Sequence, residues 1–170
     1  DELIDLLLRL FLEPGDSVVE CDPTFGMYRF CTRVCGGSIV SVPRDELFRV
    51  DVAGVQRAAK NGAKVVFVTS PNNPTGNITP RSDIQHLVDA GLIVVVDETY
   101  YEFCGHTVAD LVPKNPNLIV LRSLSKWAGI AGLRIGYGIM PRDITHTILT
   151  MKPPFNIAKV AELALLVSLQ

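Results

Sequence analysis

The chain has 170 residues, a length that suits one domain with a sizeable core. Sixteen basic and 18 acidic side chains leave a formal charge of −2, without like-charge blocks or interleaved basic and aromatic residues, which argues against nucleic acid or membrane surfaces as partners. At 48 % hydrophobic the composition is globular, and no apolar run approaches the roughly 20 residues of a bilayer-spanning helix.

The chain opens on Asp1-Glu2 with no initiator Met and no signal-peptide pattern. That opening reads as a truncation. The expected compartment is the cytoplasm, with room for an organellar segment upstream. Four cysteines stand at 21, 31, 35 and 104. Cys31 and Cys35 share a helical face but lack the second pair or histidine of a zinc set, so no metal site is expected. Reduced, mostly buried thiols are the expectation.

Residues 1–12 read as a helix whose polar positions Asp5, Arg9 and Glu13 make one narrow wet stripe. Glu13-Pro14-Gly15-Asp16 stops it. A strand over 17–21 follows, and Thr24 is placed to cap a helix running to about Cys35, ended by Gly36-Gly37. A second strand covers 38–42, a polar connection 44–50 and a helix 51–61. The β-branched run 64–69 is a third strand. Two prolines, two asparagines and a glycine make 70–76 a turn. A helix is expected over 80–90, with Pro80 in its first turn, then a fourth strand over 92–96 ending in Asp97-Glu98. Residues 99–116 read as irregular with one short helical piece. Strands over 117–122 and 135–139 and helices over 141–151 and 157–169 complete the chain, broken by Pro153-Pro154.

Strand and helix alternate, and the strands are uniform apolar runs. That combination predicts an α/β fold, a three-layer αβα sandwich around a mostly parallel sheet. Only about a dozen loop-like residues separate Leu121 from Ile135, too few for a crossover helix, so the last strand is expected to return antiparallel.

Ligands in such sheets sit beyond the carboxyl ends of the strands. There the polar residues gather: Asp22 to Phe25, Pro71 to Gly76, Asp97-Glu98, and Ser123 to Lys126. Asp97 ends an apolar strand, where a carboxylate needs a partner. It fits either a structural ion pair or a carboxylate holding a protonated ring nitrogen. Asn73 fits an Asx turn, and Phe25 and Tyr100 fit core packing or contact with a flat ligand. Lys126 and Arg134, in a loop rich in Gly, Ala and Ile, need an anionic partner.

The stretch Ser123-Leu124-Ser125-Lys126, followed eight residues later by Arg134-Ile135-Gly136, resembles the lysine-attachment signature of the fold-type I pyridoxal-phosphate aminotransferases, classes I and II. Pro71-Asn72-Asn73-Pro74-Thr75-Gly76 and Asp97-Glu98-Thr99-Tyr100 are similar to that family's other cofactor motifs, in the same order. Within the family, Asp1 to Asp5, Pro23 to Tyr28, Ala131 to Arg134 and Lys152 to Asn156 most resemble the histidinol-phosphate aminotransferases. Aromatic aminotransferases and threonine-phosphate decarboxylases share much of this pattern.

The resemblance implies a large cofactor-binding domain over 1–152, lacking its first edge strand, and over 153–170 the start of a connection to a small domain. It implies pyridoxal phosphate as cofactor, an amino donor and a keto acid as partners, and a homodimer. The implied reaction interconverts histidinol phosphate plus 2-oxoglutarate and imidazole acetol phosphate plus glutamate. A non-catalytic paralogue that keeps the fold is the alternative. Lys126 is implied as covalent attachment point and proton carrier, Asp97 as partner of the ring N–H, and Asn73 and Tyr100 as partners of the ring oxygen. Phe25 stacks on the ring. Ser123, Ser125, Arg134 and the backbone of Asp1, at a helix N-terminus, serve the phosphate. Two positions depart from the family: Thr99, where Ala is usual, and Trp127, whose large ring either crowds the lysine or turns outward.

Overall fold

The structure, a computed structural model, describes residues 1–168; Leu169, the expected end of the last helix, lies outside them. The helices are α1 (Glu2–Phe11), α2 (Met27–Val34), α3 (Val52–Lys60), α4 (Arg81–Asp89), α5 (Arg142–Met151) and α6 (Lys159–Ser168). The strands are β1 (Ser17–Glu20), β2 (Ser38–Ser41), β3 (Ala63–Thr69), β4 (Ile93–Asp97), β5 (Leu118–Ser123) and β6 (Gly136–Ile139). They form a single six-stranded sheet in the order β2-β1-β3-β4-β5-β6. All neighbours are parallel except β5 and β6, which run antiparallel with Ser123 opposite Gly136.

The uniform apolar strands follow from cover on both faces. Alternate side chains of each strand point to opposite sides. On β3, Val66 and Val68 join Val55 of α3 and Ile84 and Leu87 of α4 on one face. Val65 and Phe67 join Leu7 and Leu8 of α1, Tyr28 of α2 and Ile148 of α5 on the other. Each such fully buried large side chain contributes roughly 1.5–3 kcal/mol, so the central strands β3, β4 and β5 form a rigid floor. A third cluster joins Leu124 and Ile135 to Ala161 of α6, with Trp127 packed against it. The Trp127 ring is therefore half-buried against this cluster rather than crowding Lys126.

Local signals resolve unevenly. Asp51 caps α3, its carboxylate accepting from the Gly54 N–H at 2.9 Å. The Thr24 cap is corrected: α2 begins at Met27 behind Gly26, with no side-chain cap. The Thr24 hydroxyl instead pairs with that of Thr69 at 3.0 Å, a partly buried partner that water cannot replace. Pro80 stands at the N-cap of α4 rather than inside its first turn. The stretch 99–116 holds two 3₁₀ turns, Tyr101–Phe103 and Ala109–Lys114, where one helical piece was expected.

Candidate functional site

The parallel strands all end at one rim, and the residues just beyond those ends converge on a cavity of about 800 Å³. Phe25 reaches it from the connection after β1, Asn73 from the turn after β3, Asp97 and Tyr100 from the end of β4. Ser123, Ser125, Lys126 and Arg134 reach it from the β5–β6 connection, and Asp1 from the head of α1. Thus all nine sequence-derived candidates line one cavity.

Asp97 is 6 % exposed. Its Oδ1 accepts the Thr99 hydroxyl at 2.6 Å and the Thr99 N–H at 3.0 Å, and its Oδ2 accepts the Tyr28 hydroxyl at 2.6 Å. Tyr28 is fully buried and stacks on Phe67 with ring centroids 4.5 Å apart. Burial first, then the charge of Asp97, pushes the Tyr28 hydroxyl well above its ordinary pKa, so it remains a donor. Thr99, the departure beside Asp97, adds a hydroxyl bond that Ala lacks.

Lys126 is exposed, and among the described residues its amine makes no ion pair. Ser123 Oγ accepts the Ser125 N–H at 3.1 Å, which folds the start of the loop toward the cavity. Arg134 occupies the left-handed region at φ 55°. Its guanidinium donates to the Ala131 carbonyl at 2.9 Å and to Asp1 Oδ2 at 2.9 Å. Asp1 thus meets Arg134 through its carboxylate, although the backbone was the expected working part.

Behind the rim, Glu98 is 1 % exposed and pairs with Arg122 at 2.8 Å. The Arg122 guanidinium lies 3.6 Å from the centroid of the Tyr101 ring. Sequence reasoning missed Tyr28, Thr69, Asn72 and Arg44. Asn72 is buried and donates to the Pro23 carbonyl at 3.0 Å and to Thr75 Oγ1 at 2.7 Å. The polar signal at 72–73 was visible, but not the division of labour: Asn72 builds the turn while Asn73 faces the cavity. No group of three or more metal-ligating side chains occurs among the described residues, and no helix among them is long and apolar enough to cross a membrane.

The model of the family "Aminotransferase class I and II" matches residues 1–170. The chain belongs to this family. Among curated aminotransferases it is 50 % identical over 170 residues to histidinol-phosphate aminotransferase of Roseiflexus castenholzii, covering 99 % of this chain and 46 % of that protein. It is 43 % identical to the chloroplastic histidinol-phosphate aminotransferase of Nicotiana tabacum, covering 96 % and 40 %. Among solved structures it superposes on histidinol-phosphate aminotransferase of Sinorhizobium meliloti in complex with pyridoxal-5'-phosphate with a TM-score of 0.90 at 26 % identity, covering 98 % and 47 %. Aspartate aminotransferase of Thermus thermophilus with maleate gives 0.89 at 26 % identity, covering 99 % and 47 %. The chain spans about half the length of the curated aminotransferases it matches. The α/β sandwich with a mostly parallel sheet is the fold of this family's large domain.

Proposed function

We propose that this chain is the cofactor-holding part of a pyridoxal-phosphate aminotransferase acting on histidinol phosphate with 2-oxoglutarate as acceptor. One observation carries the reading: residues from separate strand ends line a single cavity floored by a buried carboxylate. The residues fit the group. A carboxylate for a ring nitrogen, an amide and a phenol for a ring oxygen, an aromatic face, two hydroxyls and a guanidinium for a phosphate, and a free primary amine share one space of about 800 Å³. The names of the relatives favour histidinol phosphate over the aromatic and decarboxylase alternatives.

When bound, pyridoxal phosphate supplies an aldehyde for amines and a ring that delocalises the charge left at the substrate α-carbon. The chain's own residues set up that chemistry. Asp97 holds the proton on the ring nitrogen, and its three donors keep the carboxylate oriented. Asn73 and Tyr100 would donate to the ring oxygen, and Phe25 would offer the ring an apolar face. Ser123, Ser125 and Arg134 would hold the phosphate, with the Arg134 guanidinium held at the cavity by its bond to Asp1. The Lys126 amine would be the attachment point and would carry the proton at the substrate α-carbon. Residues 1–152 serve as the large domain and 153–170 begin the connection to a small domain. The full protein works as a homodimer in the cytoplasm or, as the plant relatives are named, in the chloroplast.

The test is spectroscopic. Added pyridoxal phosphate is expected to give an absorbance band that is absent in Lys126→Ala. Histidinol phosphate then converts the band, and an aromatic amino acid does so less readily. A folded protein that develops no band refutes cofactor binding by this chain.

A further inference from the structure

Arg44 is a buried cation that the reading above leaves without a role. It is 7 % exposed and has no carboxylate partner among the described residues. A charge in such a place is costly, and burial lowers the Arg44 pKa. Its planar fork reaches three separate acceptors: Nε donates to the Cys21 carbonyl at 3.0 Å, one terminal nitrogen to the Phe48 carbonyl at 3.1 Å, and the other to Asn72 Oδ1 at 3.0 Å.

The last bond has consequences on two sides. It fixes which way the Asn72 amide faces, so that Nδ2 must donate, and it does so to Pro23 and Thr75. Those bonds close the turn that presents Asn73 to the cavity. On the other side a line of hydroxyls begins. Thr24 Oγ1 lies 3.4 Å from Asn72 Oδ1 and 3.0 Å from Thr69 Oγ1. Thr69 Oγ1 lies 2.8 Å from the Tyr28 hydroxyl, which donates to Asp97. A hydroxyl has one proton to give. Tyr28 gives its proton to Asp97, so Thr69 must donate to Tyr28 and Thr24 to Thr69. Asn72 Oδ1, which Arg44 holds in place, stands at the far end of this line, beside Thr24.

We propose that Arg44 is a positioning residue for the cofactor site: through Asn72 it holds the turn that presents Asn73 and anchors the far end of the hydroxyl line Thr24–Thr69–Tyr28 that ends on Asp97. The inference rests on the pyridoxal-phosphate reading and adds a residue that touches neither cofactor nor substrate. It also accounts for an arginine rather than a lysine, because one ammonium cannot reach three divergent acceptors in a single plane.

The test needs no turnover. Trp127 is the only tryptophan and adjoins Lys126, so its fluorescence is a convenient monitor of cofactor binding. Pyridoxal phosphate is titrated into the wild-type protein, Arg44→Lys, Arg44→Met and Thr69→Val, and the circular dichroism of the bound cofactor is recorded at saturation. Both Arg44 variants are expected to bind about tenfold more weakly, as loss of bonds to a charged donor implies, and to show altered cofactor dichroism. Thr69→Val preserves shape and every Arg44 contact, so it tests the hydroxyl line even if the Arg44 variants fail to fold; its dichroism is expected to change. A purely structural Arg44 would lower thermal stability and leave affinity and dichroism of the folded protein at wild-type values, which overturns the proposal. An unchanged Thr69→Val overturns the hydroxyl half. A wild-type protein that does not bind the cofactor overturns the underlying reading instead, and the proposal with it.

Discussion

Replacing Glu98 with Gln keeps the side-chain shape and removes one charge from a buried pair. Glu98 Oε1 accepts the Val108 N–H at 2.7 Å and the Thr107 hydroxyl at 3.0 Å. Oε2 accepts Arg122 Nε at 3.0 Å and a terminal Arg122 nitrogen at 2.8 Å. Removing one member of such a pair costs about 3–5 kcal/mol, because the remaining charge stays buried. The Arg122 side chain keeps 12 % exposure and its place over Tyr101. That contact offsets about 1–2 kcal/mol, so the expected loss is about 1–4 kcal/mol. For a domain of this size the melting temperature falls by about 2–16 °C. The assay is urea unfolding of wild type, Glu98→Gln, Arg122→Met and the double variant. The double variant is expected to recover at least about 1 kcal/mol relative to the sum of the singles. A Glu98→Gln protein within about 0.5 kcal/mol of wild type, or a cycle with no coupling, would refute the idea that this pair holds β4 to β5.

Three further outcomes are expected. A Cβ at Gly136 would stand 2.8 Å from the Arg122 carbonyl, so Gly136→Ala should destabilise by about 1–3 kcal/mol; an unshifted urea midpoint speaks against that close approach. Lys64, followed by the Glu13 N–H, holds the Asp16 carboxyl below its ordinary range. The fold thus favours the charged form, so this contribution is complete above the ordinary carboxylate pKa and fades as pH falls through the folded value; Lys64→Met should therefore flatten the acid limb of the stability profile, and an identical limb rejects the pairing. Burial pushes the Cys21 thiol up to about 11, so mass spectrometry after brief treatment of the native protein with a thiol reagent at neutral pH should find Cys21 unmodified; labelling of Cys21 without unfolding contradicts its burial.

The sheet was legible because its strands are long enough, and apolar enough on both faces, to leave no other reading. Val65 to Val68 alternate between two cores, and no single-faced strand has that pattern. The lining of the cavity was legible for a different reason: chemistry-bearing residues follow strands directly, and a parallel sheet brings strand ends together. Tyr28, Thr69 and Arg44 were not legible because their meaning lies in contacts between distant positions. Tyr28 meets Asp97 across 69 residues, and Arg44 meets Asn72 across 28. Arg44 stood in a connection that reads as solvated polar loop, and only the packing of that loop over the β3 turn buries it. Thr24 was misread for a related reason. A threonine before a helix predicts a cap, but a buried hydroxyl partner competed for the same oxygen and won. Trp127 was open in sequence because the side of the loop it faces depends on α6, far along the chain.

The antiparallel return of β6 makes the β5–β6 connection a ruler. Ser123 and Gly136 are locked opposite each other, and the twelve residues 124–135 between them carry both Lys126 and Arg134. Most loops absorb an added or lost residue at their tips. Here a single insertion has only two outlets. It must bulge within the cavity wall and change the span between amine and guanidinium, or slide β6 by one position and exchange the faces of the sheet to which its residues point. The length of this connection is therefore set by the hydrogen-bond register of the sheet as firmly as by any ligand in the cavity, and a chain of this fold tolerates substitution within the loop far better than a change in its count.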